Sequence, residues 1–425
     1  MGFHHYRLDN GLNLYVQPTA KFKSVMLKVF WHQNLDEAAT LNALLPMVLK
    51  RGTGRNPTTQ GFNRLLEELY GAEFDARVLK KGERQIIEFE LDLVKDSLVQ
   101  QPLLERGLEL LHDVILDPVV VAEGFDPDFL AQEKDQLRQI IEGIFNDKVQ
   151  YSIERCLEEM GRGERFGLSR YGKVEEFPRI SPGDLYRHYL ERRNSAPMDI
   201  FVLGDLNPVD VYKSVNRIFS FPHQGGYTLQ PVELGNAPVQ AKEIVERQEI
   251  NQGKLSLAYR TGTAYGDPIY PALAVYSGVL GGFPHSKLFQ NVREKASLAY
   301  YATCRLEKSK GVLLVTSGIE FANYAKARRI IEEQVADMAT GNISDVELDN
   351  TKKGLLHQLR ASNDNYHLMV DMALDGLVNG RPRSSEELAE QIRAVSKADV
   401  VQAAERIRLD TVYFLTNSEG AGLNE

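Results

Sequence analysis

Ile180-Ser181-Pro182-Gly183-Asp184-Leu185 returns in altered form as Val395-Ser396-Lys397-Ala398-Asp399-Val400. A second pair of segments repeats at nearly the same interval. Gln136-Leu137-Arg138-Gln139 through Asn146-Asp147 is matched by His357-Gln358-Leu359-Arg360 through Asn363-Asp364. The offsets are 217 residues for Asp147 to Asp364 and 215 for Ile180 to Val395. Chance matches would not keep one interval, so the chain is read as a duplication.

Each repeat carries the same signals. In the first half Val25, Leu27, Val29 and Trp31 alternate, as do Ile87, Phe89, Leu91 and Leu93, with Glu88, Glu90 and Asp92 between them. This is the period of half-buried strands. Helical stretches follow at about 36–50 and 58–70, the second stopped by Gly71, and long helices at about 102–116 and 126–144. A helix near 184–192 and a strand at 199–203 close the half. The second half replays the plan, from the strand with Leu255, Leu257 and Tyr259 to a last strand at 411–415. The expectation is an α+β fold of two duplicated domains, each an antiparallel-rich sheet with helices packed on one face. The domains span residues 1–221 and 241–425. Residues 222–240, with Pro222, Gly225, Gly226, Gly235 and Pro238, form the linker.

Composition narrows the function. A formal net charge of −9 argues against a nucleic-acid binder that relies on a basic surface. The two cysteines, Cys156 and Cys304, build neither a disulfide framework nor a cysteine-rich metal site, and are read as free thiols in a reducing compartment. No signal-peptide core and no apolar run of about 18 residues is found, so no membrane partner and a cytoplasmic location are expected. There is no phosphate-binding glycine loop and no Gly-x-Ser-x-Gly elbow.

Several passages resemble the insulinase/pitrilysin metallopeptidase family, in particular its mitochondrial-processing-peptidase-like bacterial branch. They are Leu8-Asp9-Asn10-Gly11-Leu12, Leu49-Lys50-Arg51-Gly52-Thr53, and the block from Gly281-Gly282-Phe283-Pro284-His285-Ser286 to Leu298-Ala299-Tyr300. The resemblance implies that the two domains form a half-clamshell, two of which enclose a peptide chamber. Active members carry His-x-x-Glu-His on the first long helix: two imidazoles one turn apart hold zinc, and the Glu activates the bound water. The aligned helix here has Asn42, Leu45 and Pro46 in place of the first His, the Glu and the second His. Leu45 can neither bind a metal nor take a proton, and Pro46 is expected to kink the helix or to start it.

The family's third ligand, a later Glu, aligns with Glu142, which follows Asp135 by seven residues. A single carboxylate makes no zinc site, and Glu142 is read as a solvated helix-face residue. His188-Tyr189-Leu190-Glu191-Arg192 falls one residue short of the motif; Arg192 cannot serve as a ligand, and His188 is read as a surface or partly packed residue. The resemblance does retain Arg293 and Tyr300, the second-domain pair that grips substrate carbonyls in active members. A guanidinium and a phenol are suited to that task. The Gly281-Gly282 pair is read as a tight turn.

Together these readings imply a non-catalytic, peptide-binding subunit, inactive alone. Zinc is expected only in a homologous zinc-bearing partner, with which it forms a hetero-oligomer, or else the chain self-associates. Two alternatives stay open: a scaffold that uses the same clamshell without proteolysis, and a peptidase with a rearranged metal site.

Overall fold

The computed structural model describes residues 2–417. The chain divides into two compact units, Met1–Glu142 with Leu168–Pro231, and Gly143–Gly167 with Val232–Glu425. The first unit opens with β1 (His4–Arg7), β2 (Asn13–Pro18) and β3 (Ser24–Asn34), then α1 (Ala39–Leu49) and α2 (Thr59–Glu68). Next come β4 (Glu73–Lys81), β5 (Arg84–Val94), α3 (Asp96–Val99) and α4 (Leu103–Leu116). A short hairpin of β6 (Val120–Val121) and β7 (Gly124–Phe125) leads into α5 (Pro127–Asn146). After α6 (Lys148–Met160), the unit closes with α7 (Pro182–Ser195), β8 (Met198–Gly204) and α8 (Pro208–Ile218).

The alternating runs set the register. Val25, Leu27, Val29 and Trp31 of β3 stand opposite Leu93, Leu91, Phe89 and Ile87 of β5. A slip of one residue would turn all eight out of the core. This face packs against Leu44 and Leu45 of α1, Leu111 of α4 and Leu185 of α7. Strand order is β1-β2-β8-β3-β5-β4, with β2 and β8 parallel and the other neighbours antiparallel.

The second unit contains β9 (Lys242–Arg247), β10 (Gly253–Arg260), α9 (Tyr270–Ser277), β11 (Ala299–Glu307) and β12 (Val312–Ile319). Helices α10 (Tyr324–Ala339), α11 (Asp345–Ser362), α12 (Tyr366–Val378), α13 (Ser385–Ala394) and α14 (Lys397–Ala404) precede β13 (Arg408–Thr416). Its sheet runs β11-β12-β10-β13-β9. Read from the other edge, this is the order β2-β8-β3-β5-β4 of the first unit, again with one parallel pair, β13 with β9. The segments that repeat in sequence also play one local role. Ser181 and Ser396 are N-caps of α7 and α14, each in a reciprocal box with the Asp three residues on. Such a cap contributes about 1 kcal/mol.

The division of the chain differs from the one expected at 1–221 and 241–425. Residues 143–167 belong to the second unit. Ile153, Cys156 and Met160 form one stripe of α6, and it buries against Ala258, Leu314 and Leu415 on the sheet face opposite the main helical layer. Helical periodicity announces such a stripe but does not say which sheet will cover it. The segment expected as linker has no helix or strand yet is tied down. Tyr227 Oη accepts from the Asn34 amide at 3.1 Å, and Arg260 donates to the Leu234 carbonyl at 2.8 Å. Both cysteines are free thiols. Among the described residues no helix is long and apolar enough to cross a membrane.

Candidate functional site

Helix α1 is buried from Asn42 through Leu49. It starts at Ala39 and runs on past Pro46, so of the two expectations, a kink at the proline or a start there, the start is overturned. Pro46 lies one turn after Asn42, where its missing N–H leaves one helical hydrogen bond unmade. Leu45 is 0% exposed and belongs to the hydrophobic core.

Asn42, which the resemblance aligns with the first zinc-binding His, is the hub of a neutral hydrogen-bond network. Its Nδ2 donates to Gln85 Oε1 at 2.9 Å, and its Oδ1 lies 2.6 Å from His188 Nε2. Gln85 Nε2 donates in turn to the carbonyls of Ala39 at 2.9 Å and Arg170 at 2.6 Å. His188 is not the surface or partly packed residue expected, being only 7% exposed. Burial, with the nearby Arg192 charge, pushes its pKa down to about 4. The imidazole is therefore neutral near pH 7, with its Nε2 proton given to Asn42. Zinc does not fit these residues: the amide is consumed by its neighbours, Leu45 has no donor atom and Pro46 no side-chain ligand.

Glu142 is exposed on α5, in line with a solvated carboxylate. Asp135 is also exposed and pairs with Arg138 at 2.7 Å. The buried acid of this helix is Glu133, which holds Arg51 just beyond α1. Sequence reasoning missed Glu133, Gln85 and the role of His188. A signal for Gln85 was present, because it continues the phase of Ile87, Phe89, Leu91 and Leu93 and so had to face the core. Gln33 extends the Val25-to-Trp31 run in the same way; it is fully buried opposite Gln85 in register.

Arg293 and Tyr300 occupy the passage from a π-helical turn (Phe289–Lys295) into β11, an edge strand of the second sheet. Leu288, Val292 and Leu298 are buried and anchor this passage. Ser297 turns the chain with a left-handed φ of 52°. The Arg293 side chain is 44% exposed. Its guanidinium carbon lies 4.6 Å from the centre of the Phe289 ring, and its Nε is 3.6 Å from the Glu294 carboxylate, a loose surface contact of little energetic weight. Tyr300 is 65% exposed and sits at a break in the β11–β12 register between Ala299 and Tyr301. A bulge of this kind re-aims a side chain out of the regular pleat.

The preceding glycines do not form the tight turn expected. Gly278–Gly282 continues α9 as a π-helical turn. Close approach explains two of the glycines in this region. A Cβ on Gly281 would stand 2.7 Å from the Cys304 backbone nitrogen, and one on Gly354 would stand 2.6 Å from the Phe283 ring. Phe283 is also stacked on His285, with centroids 5.3 Å apart.

Such a pair of α+β units, with an overwritten His-x-x-Glu-His helix in the first and an exposed Arg and Tyr in the second, defines a peptidase-like protein without a working zinc motif. Comparison with known proteins agrees. Residues 179–355 match the family described as "Peptidase M16 inactive domain". Over 417 residues, 97% of each chain, the sequence is 38% identical to "Probable inactive metalloprotease YmfF" of Bacillus subtilis strain 168. It is 24% identical over 299 residues, 69% of this chain and 71% of the relative, to "Uncharacterized zinc protease YmxG" of the same strain. A conserved protein from Enterococcus faecalis V583 of known crystal structure superposes with a TM-score of 0.90 at 28% identity, covering 98% of this chain and 99% of the other. The chain belongs to the M16 peptidase family, the insulinase/pitrilysin class that its sequence resembles, as an inactive peptidase-like member.

Proposed function

We propose that this protein is the non-catalytic, peptide-binding subunit of a two-subunit zinc peptidase, paired with a family member that carries an intact His-x-x-Glu-His. One observation carries the reading. The helix that would hold zinc is closed by side-chain packing, whereas Arg293 and Tyr300 stand exposed and free of any buried ion pair. A fixed guanidinium and a phenol are suited to hold peptide carbonyls and to donate to a developing oxyanion. The partner would supply zinc and its activated water. This chain binds no zinc of its own and acts in the cytoplasm, a location supported by its two free thiols.

The test is peptide turnover by the reconstituted pair. Arg293→Ala is expected to lower it about ten- to a hundred-fold, the value of a charge-assisted hydrogen bond. Tyr300→Phe is expected to reduce it less. Thermal unfolding of both variants should match the wild type, because exposed side chains contribute little stability. Elemental analysis of the chain alone is expected to find no stoichiometric zinc. Unchanged turnover in both variants would rule the pair out as a substrate grip. Turnover absent with every zinc-bearing homologue would favour a scaffold.

A further inference from the structure

Two guanidiniums and two carboxylates line one open surface pocket of about 500 Å³ in the second unit, those of Arg381, Asp267 and Asp399, which are half-buried, and of Arg406, which is exposed. Among the described residues they do not pair with one another. Arg381 donates to the Gly266 carbonyl at 3.2 Å, and Asp267 Oδ2 accepts from the Ala264 amide at 2.9 Å. Asp399 Oδ2 caps α14, accepting from the Ser396 amide at 2.7 Å. Each carboxylate thus keeps its Oδ1 outside these bonds, and Arg406 has no side-chain partner among the described residues.

Charges this solvated need not pair, because an exposed ion pair gains little; what sets these four apart is that all of them border one open space. Four that stay apart around an open space form a complementary frame for a ligand carrying both signs. Ile269, Pro271 and Val395 supply an apolar wall between them. Gln391 lines the same pocket, and its Oε1 is buried without a hydrogen-bond partner. A third guanidinium lies close by. Arg383, buried against the Tyr265 carbonyl at 2.7 Å, has its pKa lowered by burial and then by the charge of Arg381. An anion on Arg381 would relieve that repulsion.

We propose that this pocket binds a short zwitterionic peptide, its carboxylate held by Arg381 and Arg406 and its ammonium group by Asp267 and Asp399. The volume lies inside the range of about 300–1,000 Å³ typical of small-molecule sites, which suits a di- or tripeptide. Arg293 and Tyr300 take no part, so this proposal and the subunit reading can fail separately.

The test is calorimetric titration of the whole chain with leucyl-leucine, its N-acetyl derivative, its C-terminal amide and free leucine. Leucyl-leucine is expected to bind with a Kd on the order of 0.1–1 mM, and either blocked form at least about tenfold more weakly. Arg406→Ala is expected to weaken the free dipeptide by a similar factor without lowering the unliganded melting temperature. Arg406→Lys should restore part of the loss. Blocked peptides that bind as well as the free one would overturn the proposal, as would an Arg406→Ala variant that matches the wild type. No binding at about 10 mM, beyond the weak end of specific recognition, would also overturn it. Free leucine binding as tightly as the dipeptide would overturn the peptide assignment and leave a site for amino acids.

Discussion

Replacing Asn42 by Leu is expected to destabilise the protein by about 2–5 kcal/mol, although Leu is the better helix former. The substitution orphans two buried groups, the Nε2 proton of His188 and Oε1 of Gln85. Each costs about 1–3 kcal/mol when left without a partner. Denaturant titration of wild type and variant would measure the loss; a difference within about 0.5 kcal/mol would show that the network carries no stability. The same network predicts a pH dependence. His188 has a folded pKa of about 4 against an ordinary 6.5. The unfolded chain therefore takes up a proton below pH 6.5 that the folded one refuses. The contribution of His188 should fall as pH drops from 6.5 towards 4, by about 3 kcal/mol over the window, and change no further below it. His188→Asn should remove this step, whatever it does to stability at pH 7.

The network also shows where sequence reasoning stops. Most strands of the two sheets are legible because period-two alternation is a local property, and the β3–β5 register follows from matching apolar faces; the edge strands β1 and β9, with no buried face, carry no such signal. The caps at Ser181 and Ser396 lie within the very segments from whose recurrence a duplication is read. Asn42 and His188, by contrast, are 146 positions apart, and no local pattern pairs them. The resemblance sets Asn42, Leu45 and Pro46 against the zinc motif; the network that surrounds Asn42 has no such local sign. Glu142 is exposed, as the sequence reading has it, but the buried carboxylate of α5 went unread for another reason. Glu142 was chosen by alignment with a family position, whereas burial selects Glu133, whose face of α5 meets Arg51. Arg293 and Tyr300 were named from the resemblance alone. Their exposure depends on the π-helical turn, the left-handed Ser297 and the bulge at Tyr300, none of which has a periodic signature. Residues 143–167 fall outside the unit that sequence order suggests because an amphipathic stripe fits whichever apolar face it meets.

That segment is also the subject of the largest stability effect expected in the second unit. Glu164, near its end, accepts from Arg260 Nη2 at 2.6 Å and lies 2.7 Å from Lys310 Nζ. Lys310 is 0% exposed, and Arg260, nearly as buried, also pairs with Asp410 at 2.8 Å. The same two cations bind the carbonyls of Glu233 and Leu234 where the chain re-enters the unit. Glu164→Ala removes one carboxylate from two buried cations at once. Breaking a buried pair on one side costs about 3–5 kcal/mol. Arg260 keeps Asp410 and Glu164 is partly solvated, so a loss of about 2–4 kcal/mol is expected here. Amide exchange should show where it acts, with protection falling first in α6 and in residues 232–235. Acid should mimic the mutation. Burial alone would raise the pKa of Glu164, but the hydrogen bonds and charges of Arg260 and Lys310 outweigh it and hold the carboxyl below its ordinary value. Its contribution is then complete above the ordinary carboxylate pKa and is lost as pH falls through the lowered one. This places it at more acid pH than the His188 step, so two successive losses are expected. Glu164→Gln should abolish only the lower of them, and a variant that altered the His188 step instead would contradict this assignment.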